Sequence, residues 1–254
     1  MCKVLQINRS TIYKKLCEKP KELELIKEIQ NIFIKHKSCY GYRRLKIAIK
    51  NEIGLIINHK KLLKIMRNNF ILGNWVRRFH PKNHKRNYQS LVKADFNLLQ
   101  RNFKAKKINE KWVTDITYIR IPYQKKYLYL STIIDLYNRE IVAYKLSEEN
   151  NINLVIETLK SALIKNKEKL NGLILHSDQG FQYTSIQYNN LCNSHGIKPS
   201  YSRKGTPLDN AVIESFHSIF KKETIYNKFI KTKHDMINLI HEWINFYKSY
   251  RVRL

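Results

Sequence analysis

Three carboxylates stand where an acid is costly unless it is used. Asp115 interrupts the apolar, β-branched run WVTDITYI, and an unpaired charge buried in such a run is expensive. Asp178 closes the run LILHSD, directly before Gln179-Gly180. Glu214 lies about two turns into the stretch that opens with Thr206-Pro207. Oxygen-only ligands of this kind suit a hard divalent cation such as Mg²⁺, which takes one or two carboxylates and completes its shell with water and phosphate. Two such ions about 3.5–4 Å apart activate an attacking oxygen and steady a leaving one. Three acids are enough if one is shared, and the chemistry implied is phosphoryl transfer on a nucleic-acid backbone. Each acid taken singly has an ordinary reading as well. Asp178 in Ser-Asp-Gln-Gly suits a turn, and Glu214 suits a helix surface. Asp115 is the hardest to dismiss.

The elements that must position these acids are legible in outline. WVTDITYIRI, KKYLYLSTIID and EIVAYKLS read as three strands, the last two joined tightly at Tyr137-Asn138-Arg139. Residues 151–169 read as a helix with Leu154, Ile156 or Val155, Leu159, Ala162 and Leu163 inward. GLILHSD is a continuous apolar run, as for a strand covered on both faces. A helix over 184–195, a strand IKPSYS, and helices over 207–226 and 233–249 follow. This order makes a mixed α/β sheet. Thr206-Pro207-Leu208-Asp209 fits a cap, a proline at the first helical position and an acid three residues after the cap. Beyond it, Ile213, Phe216 and Phe220 mark the buried side, while Glu214, His217 or Ser218, and Lys221 share another face. Gly180 is read as the residue that turns the backbone away from Asp178 and leaves room for a substrate.

Charge names the partner class. The 254 residues carry 48 Lys and Arg against 20 Asp and Glu, a net +28, which points to a polyanion, most simply nucleic acid. Residues 1–107 hold 27 of those cations and six acids. This front part reads as short helices over 10–18, 21–36, 41–51 and 58–69. Leu23, Ile26, Ile29 or Gln30, and Phe33 form the apolar stripe of the second. On the last, Lys60, Lys64 and Arg67 share a face opposite Leu62, Leu63 and Met66, a surface suited to phosphates rather than bases. RRFHPKNHKRNY, residues 77–88, reads as a basic linker. The domains expected are a helical, helix-turn-helix-like DNA-binding region over 1–75, a linker over 76–107 and a core over 108–254. No apolar run reaches membrane-spanning length, and the N-terminus lacks a signal peptide's apolar stretch, so the expected place is the cytoplasm, at the nucleoid. Cys2, Cys17, Cys39 and Cys192 contain no C-x-x-C pair. A zinc site from His36, Cys39, His80 and His84 is conceivable, but scattered polar residues in basic helices and a linker are the preferred reading.

Asp115, Asp178 and Glu214, with 35 residues between the last two and Lys221 seven after Glu214, sit within WVTDITYI, LHSDQGFQYTS and SRKGTPLDNAVIESFHSIFKKE. With YGYRRLKIAIKNEIGLIINHKKLLKIM upstream, these segments resemble the second-frame product of the insertion-sequence-three family, a transposase of the retroviral-integrase type. The resemblance implies a ribonuclease-H-like five-stranded core behind a helical DNA-binding region. It implies that Asp115, Asp178 and Glu214 are catalytic and hold two Mg²⁺ or Mn²⁺ ions, and that Lys221 contacts DNA near the element's end. Arg43, Arg44, Lys60, Lys64 and Arg67 are the expected DNA contacts of the front region. The expected reaction is cleavage at terminal inverted repeats followed by strand transfer into target DNA, by a homo-oligomer, with an upstream-frame protein as partner. The start partway through a helix-turn-helix at residues 4–17 and the end at FYKSYRVRL leave an inactive DNA-binding remnant or inhibitor as the alternative, with another ribonuclease-H-like nuclease as a third reading.

Overall fold

The computed structural model describes residues 20–73, 96–121, 126–166 and 170–253. The helix expected over 10–18, the linker over 77–88, Cys2, Cys17, His80 and His84 lie outside them. The chain divides into two compact units, Met1–Trp75 with Tyr250–Leu254, and Val76–Ser249.

The first unit holds three helices, α1 (Pro20–Lys35), α2 (Tyr42–Ile53) and α3 (His59–Asn68). Its core is built by the 3.6-residue repeat. Ile29, Ile32 and Phe33 of α1, Leu45, Ala48 and Ile49 of α2, and Leu62, Ile65 and Met66 of α3 are all buried. Leu23, expected on the inner stripe, is 46% exposed; the buried stripe starts at Ile29 and so includes Ile32. The ends are set locally. Gly54 closes α2 at φ 71°, a left-handed position that glycine takes without a Cβ penalty. The Asn58 side chain accepts from Lys60 N at 2.8 Å and starts α3. Glu52 of α2 pairs with Lys35 and His36 at the end of α1, 2.7 Å each. The tail joins this unit through the buried Tyr40, whose hydroxyl donates to Tyr250 O (3.2 Å) and accepts from Val252 N (2.8 Å). The Cys39 thiol donates to His36 O at 3.1 Å. Among the described residues no three His, Cys, Asp or Glu side chains are grouped to share a metal ion; His36 stacks on Tyr40 with ring centroids 4.5 Å apart.

The second unit is a five-stranded sheet in the order β3-β2-β1-β4-β5. Its strands are β1 (Lys111–Arg120), β2 (Tyr127–Asp135), β3 (Ile141–Ser147), β4 (Ile174–Ser177) and β5 (Lys198–Tyr201). The first three pair antiparallel, and β1-β4-β5 pair parallel. The mixed five-stranded sheet with flanking helices is the one expected. Helix α4 (Ile152–Lys165), capped by Asn151, packs Leu154, Val155 and Leu159 on Trp112, Ile133 and Leu175. The helix expected over 184–195 is two pieces, α5 (Phe181–Thr184) and α6 (Ile186–Ser194). They are broken at Ser185, whose side chain caps the second by accepting from Tyr188 N. The helix expected over 207–226 is a 3₁₀ turn, Pro207–Asn210, then α7 (Ala211–Glu223), then a second 3₁₀ turn, Ile225–Asn227. Helix α8 (Lys233–Ser249) locks α7 by aromatic contacts, with Trp243 edge-on to Phe216 and Phe220 at 5.6 and 5.1 Å.

Candidate active site

Strand register brings two of the acids together. The β1–β4 pairing runs from Lys111↔Ile174 to Val113↔His176. Two steps further, the same offset sets Asp115 level with Asp178. Neighbouring strands run about 4.8 Å apart, and residues of matched parity face the same side. Asp115 sits inside β1 and is pinned, its Oδ1 accepting from Ile116 N at 2.8 Å. Asp178 is the first residue past β4 and is exposed, its Oδ1 accepting from Gly180 N at 3.0 Å. A strand that ends on an acid gives a rigid root and an open carboxylate.

Helix α7 supplies the third acid. Glu214 lies in its first turn, and Asp115, Asp178 and Glu214 line one cleft of about 470 Å³. The Asp115 charge acts on the other two. Desolvation first, then the Asp115 charge, raises the Asp178 carboxyl above its usual range, and the Gly180 N–H only partly offsets this. The same two causes raise Glu214. Crowded carboxylates that resist ionisation mark a place short of positive charge. Lys221, two turns on, feels the same field: burial lowers its pKa and Asp115 partly restores it.

His217 is the site residue that spacing left ambiguous with Ser218. Its Nδ1 stands 3.3 Å from Asp115 Oδ2, and its Nε2 is buried without a partner. Ser218 is exposed. The capping motif at Thr206-Pro207-Leu208-Asp209 needs correction. Thr206 makes no side-chain cap, and Asp209 is fully buried, bound by Arg203 and Arg101. Two guanidinium partners outcompete the free backbone N–H of a helix start. Gly180 also differs from expectation. Its backbone, φ −57° and ψ 145°, is open to any residue; what glycine provides is space beside Asp178 Oδ1.

The comparisons bear on what this cleft belongs to. Residues 105–207 and again 195–252 match the integrase core domain, and residues 20–79 match an HTH-like domain. The chain is 38% identical over 262 residues to the putative transposase InsK for insertion sequence element IS150 of Escherichia coli (strain K12), covering 100% of this chain and 88% of the relative. It is 34% identical to the transposase for insertion sequence element IS904 of Lactococcus lactis, covering 89% and 87%. Identity to the Escherichia coli transposase InsF for insertion sequence IS3A is 29%, covering 96% and 85%. The chain belongs to the insertion-sequence-three transposase family. Among solved structures, one chain of a simian T-cell lymphotropic virus intasome aligns with TM-score 0.49 and 16% identity, over 78% of this chain and 63% of that one.

In this transposase-family chain the HTH-like match covers α1 to α3. Lys60, Lys64 and Arg67 of α3 are all exposed, opposite the buried Leu62, Ile65 and Met66; Ile65 takes the inward place expected of Leu63. Arg43 is exposed and stacks on Tyr42 at 5.6 Å. Arg44 Nε donates to Val252 O at 3.2 Å, so this arginine helps hold the tail. No helix among the described residues is long and apolar enough to cross a membrane.

Proposed function

We propose that the chain is a polynucleotidyl transferase that cuts DNA at the ends of an insertion element and joins the freed end to target DNA. One observation carries the reading: Asp115 of β1, Asp178 at the tip of β4 and Glu214 of α7 line a single cleft within the two integrase core matches. The donor set fits Mg²⁺ or Mn²⁺, being oxygen throughout, with the Asp178 and Glu214 carboxyls raised first by desolvation and further by the Asp115 charge. A pair of ions would be held by Asp115, Asp178 and Glu214, which line the same cleft. Bound there, the ions would supply Lewis-acid activation of the attacking oxygen and charge neutralisation at the leaving one.

The chain's own residues do the rest. Ile116 N and His217 hold the Asp115 carboxylate in one orientation. Gly180 N does the same for Asp178. Lys221, on the helix face of Glu214, meets a DNA phosphate near the cut. Lys60, Lys64, Arg67 and Arg43 of the helical unit grip the backbone without reading sequence, with Arg44 contributing from its tail-bound position. The joining step uses the 3′-hydroxyl made by the first, so no covalent enzyme intermediate is required. A homo-oligomer bridging two element ends, with an upstream-frame protein as partner, completes the proposal.

The test is a strand-cleavage and joining assay on duplexes carrying the element's terminal repeats, with Mg²⁺ or Mn²⁺. Wild type cleaves and joins, and Asp178→Asn does neither. Salt-sensitive binding without metal-dependent cleavage by wild type would instead identify a DNA-binding remnant.

A further inference from the structure

A loop forms one wall of the cleft and is fastened at both ends. Ser202 N donates to Ser177 O at 2.8 Å, and Ser202 O accepts from Gln179 Nε2 at 2.9 Å, beside Asp178. Seven residues on, the fully buried Asp209 carboxylate takes Arg203 Nε (2.8 Å), Arg203 Nη2 (2.9 Å) and Arg203 N (3.2 Å). The same carboxylate takes Arg101 Nε (2.6 Å) and Asn97 Nδ2 (3.2 Å) from the segment ahead of β1. Its pKa is held far below the usual carboxylate range, chiefly by Arg203. Between the two fastenings the chain turns on Gly205 at φ 70°, and Thr206 N donates to Arg203 O at 3.1 Å.

Two cations line the cleft, Arg203 and Lys204, and they are not equivalent. The Arg203 fork is occupied by Asp209. Lys204 is exposed, with no ion pair or hydrogen bond among the described residues. Ions held by the three carboxylates would serve the phosphate that is cut; a flanking phosphate on the cleft wall needs a cation of the chain's own to face it. We infer that Lys204 binds a backbone phosphate of the cleaved DNA, and that Asp209 is the positioning residue that sets Lys204 by latching Arg203. This rests on the function proposed above. The latch fixes the loop before DNA arrives, so little ordering is left to oppose binding.

A double-mutant cycle on the full chain tests it, with cleavage rate and the salt dependence of DNA binding as readouts. Lys204→Gln lowers cleavage about tenfold and reduces the slope of log affinity against log salt by about one. Asp209→Asn gives the same loss of slope although it removes no cation. In the Asp209→Asn background, Lys204→Gln then costs less than about twofold. Arg203→Lys keeps the charge but not the bidentate grip; it is a surface change, reproduces the pattern, and carries the test alone should Asp209→Asn fail to fold. Additive losses, or a salt slope unmoved by Arg203→Lys, would overturn the inference. Absence of cleavage by wild type would instead overturn the proposed function, and the salt-slope cycle would still read the latch.

Discussion

Gly180→Ala separates activity from stability. The backbone at Gly180 is ordinary for alanine, at φ −57° and ψ 145°. An added Cβ meets Asp178 Oδ1 at 3.0 Å and Gln182 Oε1 at 2.9 Å. Both neighbours must give: the Gln182 amide, which turns about its bond from Nε2 to Asn150 Oδ1 (2.6 Å), and the Asp178 carboxylate, which moves by about 0.4 Å to reach ordinary carbon–oxygen contact. Losing glycine's freedom in the unfolded chain stabilises by about 0.4–1 kcal/mol, and the close contact costs about as much. The net change stays within about 1 kcal/mol, a Tm shift of about 2–4 °C at most. Misplacing a reacting group by 1 Å costs about a hundredfold, so a shift under half that size costs about tenfold in cleavage. The assay is single-turnover cleavage beside a thermal melt. Wild-type cleavage would refute the reasoning, and so would a loss of activity that merely tracks a large fall in Tm.

Further outcomes follow from the same geometry. Asp178→Asn and Glu214→Gln each relieve carboxylates whose pKa is raised by desolvation and by Asp115; both variants melt no lower than wild type, and Mg²⁺ raises the Tm of wild type but not of either variant. Asp209→Asn destabilises by about 3 kcal/mol, the lower end for a broken buried pair, because its arginine partners are about half exposed and rehydrate. The Asp209 contribution is whole above the ordinary aspartate value of 3.8 and declines as pH falls toward its depressed native value. The wild type therefore loses more denaturant stability than Asp209→Asn between pH 4 and pH 2, at up to about 1.4 kcal/mol per pH unit. Gly196→Ala forces a residue at φ 68° and brings its Cβ to 3.2 Å from the Asn171 backbone. Left-handed strain of about 1–2 kcal/mol plus that contact lowers the urea midpoint without changing cleavage by the folded fraction.

What the sequence disclosed and what it hid have physical causes. Asp115 was legible because a charge inside WVTDITYI interrupts an apolar, β-branched run that the strand buries almost throughout. The apolar run Leu173-Ile174-Leu175 ahead of Asp178 was legible because β4 is paired on both edges, with β1 and β5; the buried His176 that follows is satisfied by the Ser200 and Ser202 hydroxyls. Asp209 was hidden because an acid three residues after Thr206 has a good local use as a cap. Of the partners that claim it, Arg101 and Asn97 are more than a hundred residues away, and Arg203 alone is near in sequence. His217 and Ser218 were inseparable by helical angle alone; packing against α8 turns Phe216 and His217 inward and leaves Ser218 outside. Ile65 displaced Leu63 for a similar reason, one residue being about a hundred degrees of helix. The tail's attachment to Tyr40 leaves no local signal, since main-chain groups of residues 250 and 252 make it.

The central claim is that Asp115, Asp178 and Glu214 together hold divalent ions at the cutting site. Anomalous diffraction from crystals of the full chain soaked with Mn²⁺ tests it most directly. The account predicts manganese peaks in contact with Asp115, shared with Asp178 on one side and Glu214 on the other, and their loss in Asp115→Asn crystals. Manganese bound elsewhere with this cleft empty, or a peak that survives Asp115→Asn, would contradict it.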